Sequence, residues 1–395
     1  MIIKEIENKA LIVCGQVLTG RLEVFEQFFR RKVKSFCVIG FSNIFANYND
    51  ARCTIYEADK KIYERKLFNL LSPRIKFVKA LIFVLAYLVY LWDAVVCSLR
   101  FKTAEKERFF LGIGFFPTLL GIILRKLRIV HKVIYYSCDY FPPVTGSIDL
   151  ILFAKVDKWC IRKSDIIWLV SPRIAEAREK FTGMPRNAYE ADLAPLTFDA
   201  SFLTRKEPEL VDRWSLVFVG TSNYLHGLHL LIEAMPKLAS RFPQIKVKII
   251  GAGNWSETKA EVARLGFSRY FDFLGFIKEE RELFDTVSKC ALGLALYVPS
   301  EDNPTLYADP GKPKLYAFCA VPVVLSKAPS VAGEIDAMQA GKSIEFNCDS
   351  LVEAVSEIIA DDSRWKNYRE NAFKFAKIYT TQEIFEPLLN KALSD

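Results

Sequence analysis

The stretch LYADPGKPKLYAFCAVPVV, residues 306–324, joins a turn to a helical pattern and then to an apolar run. Asp309 and the Pro-Gly pair that ends at Gly311 are typical of the start of a helix. Free backbone N–H groups and the positive end of the helix dipole favour an anion there, so Lys312 beside them suggests a phosphate site. The alternative is a solvated turn carrying two surface lysines, Lys312 and Lys314, and this stretch alone leaves both interpretations open.

The first half of the chain alternates short apolar runs with helical patterns. The runs are rich in Val, Ile and aromatic residues and predict strands at residues 10–15, 35–41, 52–58, 93–98, 132–137 and 165–170. Helical patterns cover residues 117–128 and 147–164. This alternation is typical of a parallel sheet with crossover helices.

A polar segment at residues 197–213 predicts a linker, and the alternation restarts after it. Strands are expected at residues 214–220, 246–253, 270–276, 291–297 and 321–326, with a helix at 229–242. A chain of 395 residues exceeds what one core normally organises. The sequence therefore predicts an α/β protein with two doubly wound, Rossmann-like domains that face across a cleft. We place them at residues 1–200 and 201–395, with the last helix as a candidate to return to the first domain.

Five features of the second half fall at predicted strand ends, where doubly wound sheets bind their ligands. They are Gly220, Gly251, Gly253, Gly275 and Tyr297. A lone Gly-x-Gly pair is explained as well by a tight turn. Five such positions in one domain indicate a binding site.

The charge of the chain is unevenly placed. Residues 1–200 hold 31 Lys and Arg against 20 Asp and Glu, whereas the remainder holds 23 against 26. A basic first half predicts an anionic partner, and a membrane surface fits better than nucleic acid because no nucleic-acid motif is present. The chain has no Asp-x-Asp pair, and we expect neither a metal nor a cofactor.

The nine cysteines are scattered singly, without a C-x-x-C pair, and several lie in apolar runs. We expect reduced thiols that act as small apolar side chains. The start, residues 1–15, has dispersed charges and no small-residue cleavage site, which is typical of a first strand and not of a secretion signal. A cytoplasmic location follows as an expectation.

Two stretches could contact a membrane. In residues 77–96, Lys79 and Asp93 bracket thirteen uncharged residues, fewer than the roughly 20 that a spanning helix needs. This stretch predicts either a buried core helix or a helix at the membrane interface. Residues 22–34 combine phenylalanines with a basic cluster, which suits either anionic lipid or an ordinary amphipathic helix on a sheet.

The second half resembles the donor-binding domain of GT-B glycosyltransferases over about residues 214–360. LYADPGKPKLYAF is similar to the P-x-K-l-x-x-Y segment of nucleotide-sugar enzymes, with Lys312 at the lysine and Tyr316 at the tyrosine. The resemblance implies that Lys312 and the adjacent helix start hold the donor diphosphate. Many retaining members of the family-four group carry two glutamates seven residues apart, the second where Leu315 stands, and Glu301 is a candidate for part of that role.

The first half resembles the membrane-associated glucuronosyltransferase of xanthan biosynthesis, an inverting enzyme. YYSCDYFPP, residues 135–143, and DIIWLVSPRIAEAR, residues 165–178, are similar to segments of that enzyme. The resemblance makes Asp139 the general base. A strand-end aspartate also suits proton removal from an acceptor hydroxyl. The alternative is that Asp139 initiates the turn before Pro142.

Together these observations predict an inverting, metal-independent glycosyltransferase that moves a sugar from a UDP-type donor to a membrane-linked acceptor. The alternatives are a retaining enzyme of the same fold and a non-catalytic nucleotide-sugar-binding module. We assign donor binding to Gly220, Thr221, Ser222, Gly251, Gly253, Phe276, Tyr297, Glu301, Gly311, Lys312 and Tyr316. We assign acceptor binding to Gly15, Tyr140 and Arg173, and His226 is a further candidate near the donor.

Overall fold

The computed structural model describes residues 9–16, 21–42, 51–68, 76–105, 107–143 and 148–394. Its contacts divide the chain into two compact units. The first unit comprises Met1–Val170, Ile174–Ala194 and Phe385–Asp395, and the second comprises Ser171–Arg173 and Pro195–Ile384. The division therefore falls a few residues before the boundary expected at residue 200.

The first unit is built on one sheet with helices. Its strands are β1 (Lys9–Gln16), β2 (Ser35–Phe41), β3 (Arg52–Glu57), β4 (Lys60–Lys66), β5 (Glu107–Ile113), β6 (Lys132–Ser137), β7 (Ile166–Leu169) and β8 (Asp192–Leu193). Its helices are α1 (Arg21–Phe29), α2 (Lys76–Arg100), α3 (Phe115–Lys126), α4 (Ile148–Lys163) and α5 (Pro172–Thr182). The described strands run in the order β4-β3-β2-β1-β5-β6-β7-β8.

The first sheet differs from the expected all-parallel arrangement at one edge. β2 pairs with β1 in parallel, but β3 pairs with β2, and β4 with β3, in antiparallel register. A turn through Ala58 and Asp59, both with positive φ, joins β3 directly to β4. A connection this short permits only antiparallel pairing, because a parallel partner needs a crossover.

The strand predicted at residues 93–98 was wrong, because these residues lie within α2. Ala86, Tyr90, Ala94 and Cys97 are all buried, and their spacing of three or four residues is that of one helix face. β5, which the sequence analysis missed, supplies the strand between β1 and β6. A short apolar run cannot be assigned to a helix or strand by its composition alone.

Residues 22–34 proved to be the amphipathic alternative. Phe25 and Phe29 of α1 are buried, and the ring of Phe25 lies 4.8 Å from that of Phe385. Phe385 belongs to the last helix, α13 (Thr381–Ser394), in the part grouped with the first unit. These phenylalanines therefore form part of a protein core and do not face lipid.

The second unit contains a parallel sheet. Its strands are β9 (Asp212–Val219), β10 (Lys246–Ile250), β11 (Phe271–Gly275), β12 (Cys290–Ala295), β13 (Val323–Ser326) and β14 (Gly341–Ile344), in the order β11-β10-β9-β12-β13-β14. Its helices are α6 (Leu228–Arg241), α7 (Ser256–Arg264), α8 (Glu280–Ser288), α9 (Gly311–Phe318), α10 (Val331–Ala337), α11 (Cys348–Ile359) and α12 (Asp362–Ile378). The prediction of an α/β protein with two Rossmann-like sheets is confirmed.

The segment predicted as a linker is packed into the second unit. The rings of Phe198 and Phe202 lie 5.5 and 4.7 Å from that of Phe284 on α8. The segment is polar on average, so its composition did not indicate that these two phenylalanines pack into the core. All nine cysteines are free thiols, and eight of them are buried.

The start of α9 depends on a buried ion pair. Lys314 is completely buried and Asp309 is 4% exposed, and the ammonium of Lys314 contacts the Asp309 carboxylate. The same carboxylate accepts a hydrogen bond from the backbone N–H of Leu196 at 2.6 Å. Lys314 also donates to the Leu196 carbonyl oxygen at 2.8 Å. The interpretation of Lys314 as a surface lysine is therefore wrong.

Replacement of Lys314 by methionine should destabilise the second unit by about 3 to 5 kcal/mol, because it leaves the buried Asp309 carboxylate without its cation. The double variant Lys314→Met/Asp309→Asn should recover much of the loss, since an amide oxygen can still accept from Leu196. Urea unfolding followed by circular dichroism measures the free energy of unfolding of the single and the double variant. A single variant as stable as the wild-type protein would contradict this role.

Candidate nucleotide-sugar site

Three glycines let the strand ends of β9 and β10 approach each other closely. A Cβ atom on Gly251 would lie 1.7 Å from the carbonyl oxygen of Gly220, and one on Gly253 would lie 2.4 Å from Oγ of Ser222. Gly251 and Gly253 also have φ values of +149° and +130°, which other residues rarely adopt. The predicted Gly-x-Gly pair is therefore required by the backbone. It leaves a strand edge where a ligand can meet the main chain directly.

Lys312 extends from the first turn of α9 to this edge. A Cβ atom on Gly220 would lie 2.7 Å from its Nζ, so a side chain there would displace the ammonium from this position. The Nζ lies 5.2 Å from the ring centre of Phe218 and 5.1 Å from that of Tyr297. It is buried and has no hydrogen-bond partner in the part of the chain that the structure describes.

Burial lowers the pKa of Lys312 to about 7. A buried cation that lacks a carboxylate is costly, and an anionic ligand would supply the missing charge and hydrogen bonds. Lys314, two residues further along the same helix, differs from Lys312 because its ammonium is paired with Asp309. The sequence interpretation of Lys312 as a phosphate ligand fits this arrangement.

Polar groups surround Lys312. Nδ1 of His226 lies 3.1 Å from Oγ1 of Thr221, and burial, followed by the nearby Lys312, lowers the pKa of His226 to about 4. The imidazole is therefore neutral and can donate or accept a hydrogen bond at neutral pH. The hydroxyl of Tyr297 is buried without a hydrogen-bond partner among the described residues, and burial raises its pKa.

Asn303 joins the loops that follow β9 and β12. Its side-chain amide is buried and donates to the carbonyl oxygens of Leu225 at 3.2 Å and Val298 at 2.8 Å. Gly227 closes the first loop with a φ of +71°, where a Cβ atom would lie 1.8 Å from the carbonyl oxygen of Leu296. Sequence reasoning missed both residues. The Asn-Pro step at residues 303–304 was the available signal, because Asn commonly begins turns.

Tyr316 differs from its predicted role of donor contact. It is completely buried; its hydroxyl donates to the carbonyl oxygen of Leu294 at 2.9 Å and accepts from the N–H of Val219 at 2.9 Å. The hydroxyl thus donates one hydrogen bond and accepts another within the second unit, so Tyr316 joins the end of β9 to β12. Leu315 is also in the core, with 5% exposure, as an apolar residue at a helix position facing inward should be.

The remaining predicted donor residues lie on the same loops or next to them. The carbonyl oxygen of Gly275 accepts from the N–H of Gly251 at 2.8 Å, and Phe276, the next residue, is 68% exposed. Glu301 is exposed on the loop that Asn303 fixes. Gly311 is the first residue of α9.

In the first unit, Asp139 is exposed two residues beyond the end of β6. The strand end is fixed by Arg178, which is completely buried and donates to Oγ of Ser137 at 2.7 Å. Arg178 forms a bidentate ion pair with Asp157, both hydrogen bonds being 2.7 Å. Its guanidinium also lies 5.8 Å from the ring centre of Tyr140. The residues on both sides of Cys138-Asp139 are therefore held by one buried arginine.

The other two predicted acceptor residues have local roles. Gly15 lies near the end of β1, where a Cβ atom would meet the side chain of Ile113 at 3.0 Å. Arg173 is grouped with the second unit, and its guanidinium donates to the carbonyl oxygen of Ala328. Among the described residues, no cluster of His, Cys, Asp or Glu side chains has the geometry of a metal site.

Residues 213–361 match the family described as Glycosyl transferases group 1. This segment contains the six strands of the second sheet, except for the first residue of β9, and the glycine-lined site. The similarity to this family therefore lies within the second unit. A search of curated proteins found no match to the sequence.

Solved structures similar to this chain share its whole fold. The Anabaena protein Alr3699/HepE, determined in complex with UDP, has a TM-score of 0.69 at 15% identity, with 98% of this chain and 100% of that chain covered. Sucrose-phosphate synthase from Thermosynechococcus elongatus has a TM-score of 0.68 at 15% identity, with 97% and 98% covered. WaaG, a glycosyltransferase involved in lipopolysaccharide biosynthesis, has a TM-score of 0.65 at 11% identity, with 96% and 99% covered. The fold is GT-B.

For UDP, the ligand proposed below, the affinity of this site should fall as pH rises from about 7 to about 9. Lys312 loses its proton through this range in the free protein, whereas a bound diphosphate favours the charged form, so binding takes up a proton. The decrease should approach about tenfold per pH unit at most. The neighbouring His226 stays neutral in this range because its pKa is about 4. Tyr297 and Tyr316 also stay neutral, because burial raises the pKa of each hydroxyl.

Isothermal titration calorimetry in buffers of different ionisation enthalpy measures both the affinity and the proton uptake. The range above about pH 7 avoids the terminal phosphate of UDP, whose own titration is centred near about pH 6. Lys312→Met should remove the slope. A wild-type affinity that does not change with pH would show that Lys312 is not the ligand.

Proposed function

We propose that the protein is a glycosyltransferase that moves a sugar from a UDP-type nucleotide sugar to an acceptor, with inversion at the anomeric carbon. The observation that carries the proposal is the ammonium of Lys312, which is buried and has no hydrogen-bond partner among the described residues. It lies at a glycine-lined strand edge in the segment that matches the glycosyltransferase group 1 family. A binding site for an anion is the simplest reason to bury a cation without a partner. Alr3699/HepE, which has the same fold, was determined in complex with UDP.

In the proposed reaction the acceptor hydroxyl attacks the anomeric carbon as the bond from that carbon to the diphosphate oxygen breaks. Asp139 takes the hydroxyl proton, and UDP leaves with the bonding electron pair. Lys312 and the backbone N–H groups at the start of α9 stabilise the charge that develops on the leaving diphosphate. No metal or cofactor takes part in the proposed step.

The other predicted residues have supporting roles in this proposal. The exposed ring of Phe276 is proposed to stack on the uracil. His226, whose pKa the nearby Lys312 helps to lower, is proposed to contact phosphate or sugar oxygens, together with Thr221, which lies 3.1 Å from it, and the adjacent Ser222. Glu301 is exposed on the adjacent loop and is proposed to contact the donor. Gly15, Tyr140 and Arg173 are proposed to line the acceptor side.

Inversion is favoured over retention by the residue at position 315. Retaining family-four enzymes have a glutamate there, whereas Leu315 is buried among apolar side chains. The motif resemblance to the inverting glucuronosyltransferase of xanthan biosynthesis supports the same choice. Retention on the same fold remains the first alternative.

The proposed acceptor is a lipid-linked or membrane-associated glycan, used in polysaccharide or glycolipid assembly at the inner, cytoplasmic face of a membrane. The excess of basic residues in residues 1–200 supports attraction to an anionic surface. Within the described part of the chain, no helix combines the length and apolar character that crossing a bilayer requires. Attachment to the surface of the membrane is therefore the form of association that we propose.

The enzyme proposal is tested with purified protein and a panel of nucleotide sugars. Thermal stabilisation by one UDP-sugar identifies the donor, and slow hydrolysis of that donor shows catalysis even before the acceptor is known. The rival class is a nucleotide-sugar-binding module that does no chemistry. Stabilisation without hydrolysis or transfer, with any membrane extract as acceptor, would favour that module.

Lys312→Ala should weaken UDP binding by about 1.5 to 3 kcal/mol, the usual contribution of a hydrogen bond to a charged group, while the fold remains intact. Lys366→Ala, on the exposed face of α12, is the matched control and should bind UDP as the wild-type protein does. Calorimetry at about pH 7 provides the comparison. Equal affinities for the two variants would remove Lys312 from the site.

Asp139→Asn should lower transfer by roughly 10²- to 10⁴-fold, because an amide cannot accept the proton of the acceptor hydroxyl. UDP affinity and thermal stability should stay near the wild-type values, since Asn keeps the same turn. Asp149→Asn, an exposed carboxylate in the same unit, is the control. NMR of the wild-type product should show an inverted anomeric configuration, and retention would assign Asp139 to structure.

A further inference from the structure

Helix α2 has an apolar face, from Leu85 onward, that is exposed in the described part of the chain. Leu85, Leu88, Trp92 and Leu99 are 45%, 54%, 66% and 57% exposed. Their spacings of three, four and seven residues place them on one side of the helix, opposite the buried Ala86, Tyr90 and Ala94. A helix that packs on a sheet normally presents polar residues outward, so this face requires an explanation.

The β3–β4 hairpin extends the same face. Ile62 of β4 is 57% exposed at an irregularity in the strand pairing, where Tyr56 pairs with Lys61 and Ile55 with Tyr63. An open groove of about 540 Å³ lies between β4 and the end of α2. It is lined by Ile55, Ile62, Tyr63, Val96, Leu99, Arg100 and Lys102. The apolar floor of the groove thus has two cations at its rim.

Two more cations, Lys60 and Lys66 of β4, border this face together with Arg100 and Lys102. Lys60, Lys66, Arg100 and Lys102 are exposed and have no carboxylate partner among the described residues. The carboxylates on the same hairpin are compensated in part, since Glu64 pairs with Lys61 and Asp59 with Arg30. Lysines on an edge strand also prevent edge-to-edge aggregation, which explains charge on β4. It does not explain why the adjoining helix exposes three leucines and a tryptophan.

We propose that the α2–β4 surface, formed by Ile62, Leu85, Leu88, Trp92 and Leu99 with Lys60, Lys66, Arg100 and Lys102, binds the face of an anionic phospholipid bilayer. Apolar side chains enter the headgroup and acyl boundary, where a tryptophan is favoured, and the four cations meet lipid phosphates. The inference rests on the proposed membrane-linked acceptor and identifies the residues that bring the first unit to it.

The two kinds of contact predict different responses. The electrostatic part is screened by salt, so binding to vesicles with about 30% phosphatidylglycerol should weaken several-fold or more between about 0.1 and 0.5 M NaCl. The apolar part is not screened in this way. Vesicles of phosphatidylcholine alone should bind more weakly than anionic vesicles, and free inorganic phosphate should not compete.

Co-sedimentation of the full chain with these vesicles tests the surface through two pairs of substitutions. Leu88→Ser/Trp92→Ser removes apolar contacts and Lys60→Glu/Lys66→Glu reverses charge, and each should lower vesicle affinity by about tenfold or more. Ile151→Ser/Leu152→Ser, on the exposed side of α4 in the same unit, is the matched control. All substituted positions are solvent-exposed, so thermal unfolding should be unchanged.

The control pair should bind vesicles as the wild-type protein does. Loss of binding in the control pair and not in the α2–β4 variants would overturn the proposal. So would conversion of an oligomer to a monomer by Leu88→Ser/Trp92→Ser with vesicle binding intact, because the face would then be a protein interface. UDP binding, measured separately, distinguishes this failure from failure of the proposed transferase, since every variant here should keep the wild-type UDP affinity.

Discussion

The ion pair between Asp309 and Lys314 determines where α9 begins, and the position of Lys312 depends on that start. One Asp309 carboxylate meets the ammonium of Lys314 and the backbone N–H of Leu196, so it joins α9 to the first residues of the second unit. Buried ion pairs contribute little net stability, because desolvation offsets attraction. Their loss is costly, however, and they permit few alternative arrangements. The pair therefore serves chiefly to hold one geometry.

That geometry leaves a second ammonium, on Lys312, buried at the glycine-lined strand edge without a hydrogen-bond partner among the described residues. Burial is unfavourable for this charge and lowers the pKa of Lys312 to about 7. A site whose polar groups are already desolvated and oriented needs little rearrangement when an anion arrives. Gly220 allows this arrangement, because a side chain there would force the end of the Lys312 side chain to move.

In the first unit too, a buried ion pair fixes a segment next to a candidate functional residue. Arg178 and Asp157 satisfy each other inside the unit, and the guanidinium reaches Ser137 at the end of β6 and the ring of Tyr140. The exposed Asp139 lies between these two anchored residues. In the first unit the paired Arg178 holds the segment that carries the exposed Asp139. In the second unit the paired Lys314 holds the helix that carries Lys312. The paired charges are structural, and the other two are the candidates for chemistry.

The sequence by itself determined the α/β class, most strands of both sheets, the glycines at strand ends and a lysine at a helix start, because these follow from local periodicity and backbone conformation. It pointed to Lys312 as the phosphate ligand, but it could not show that Lys314 is buried and paired, since only the packing of Leu196 and Asp309 reveals that. Nor did it place Tyr316 inside the sheet, and for residues 93–96 it gave both a strand and the end of a helix. Pairing, burial and the choice between helix and strand for a short apolar run are decided by contacts between residues distant in the chain, and those contacts exist only in the tertiary structure.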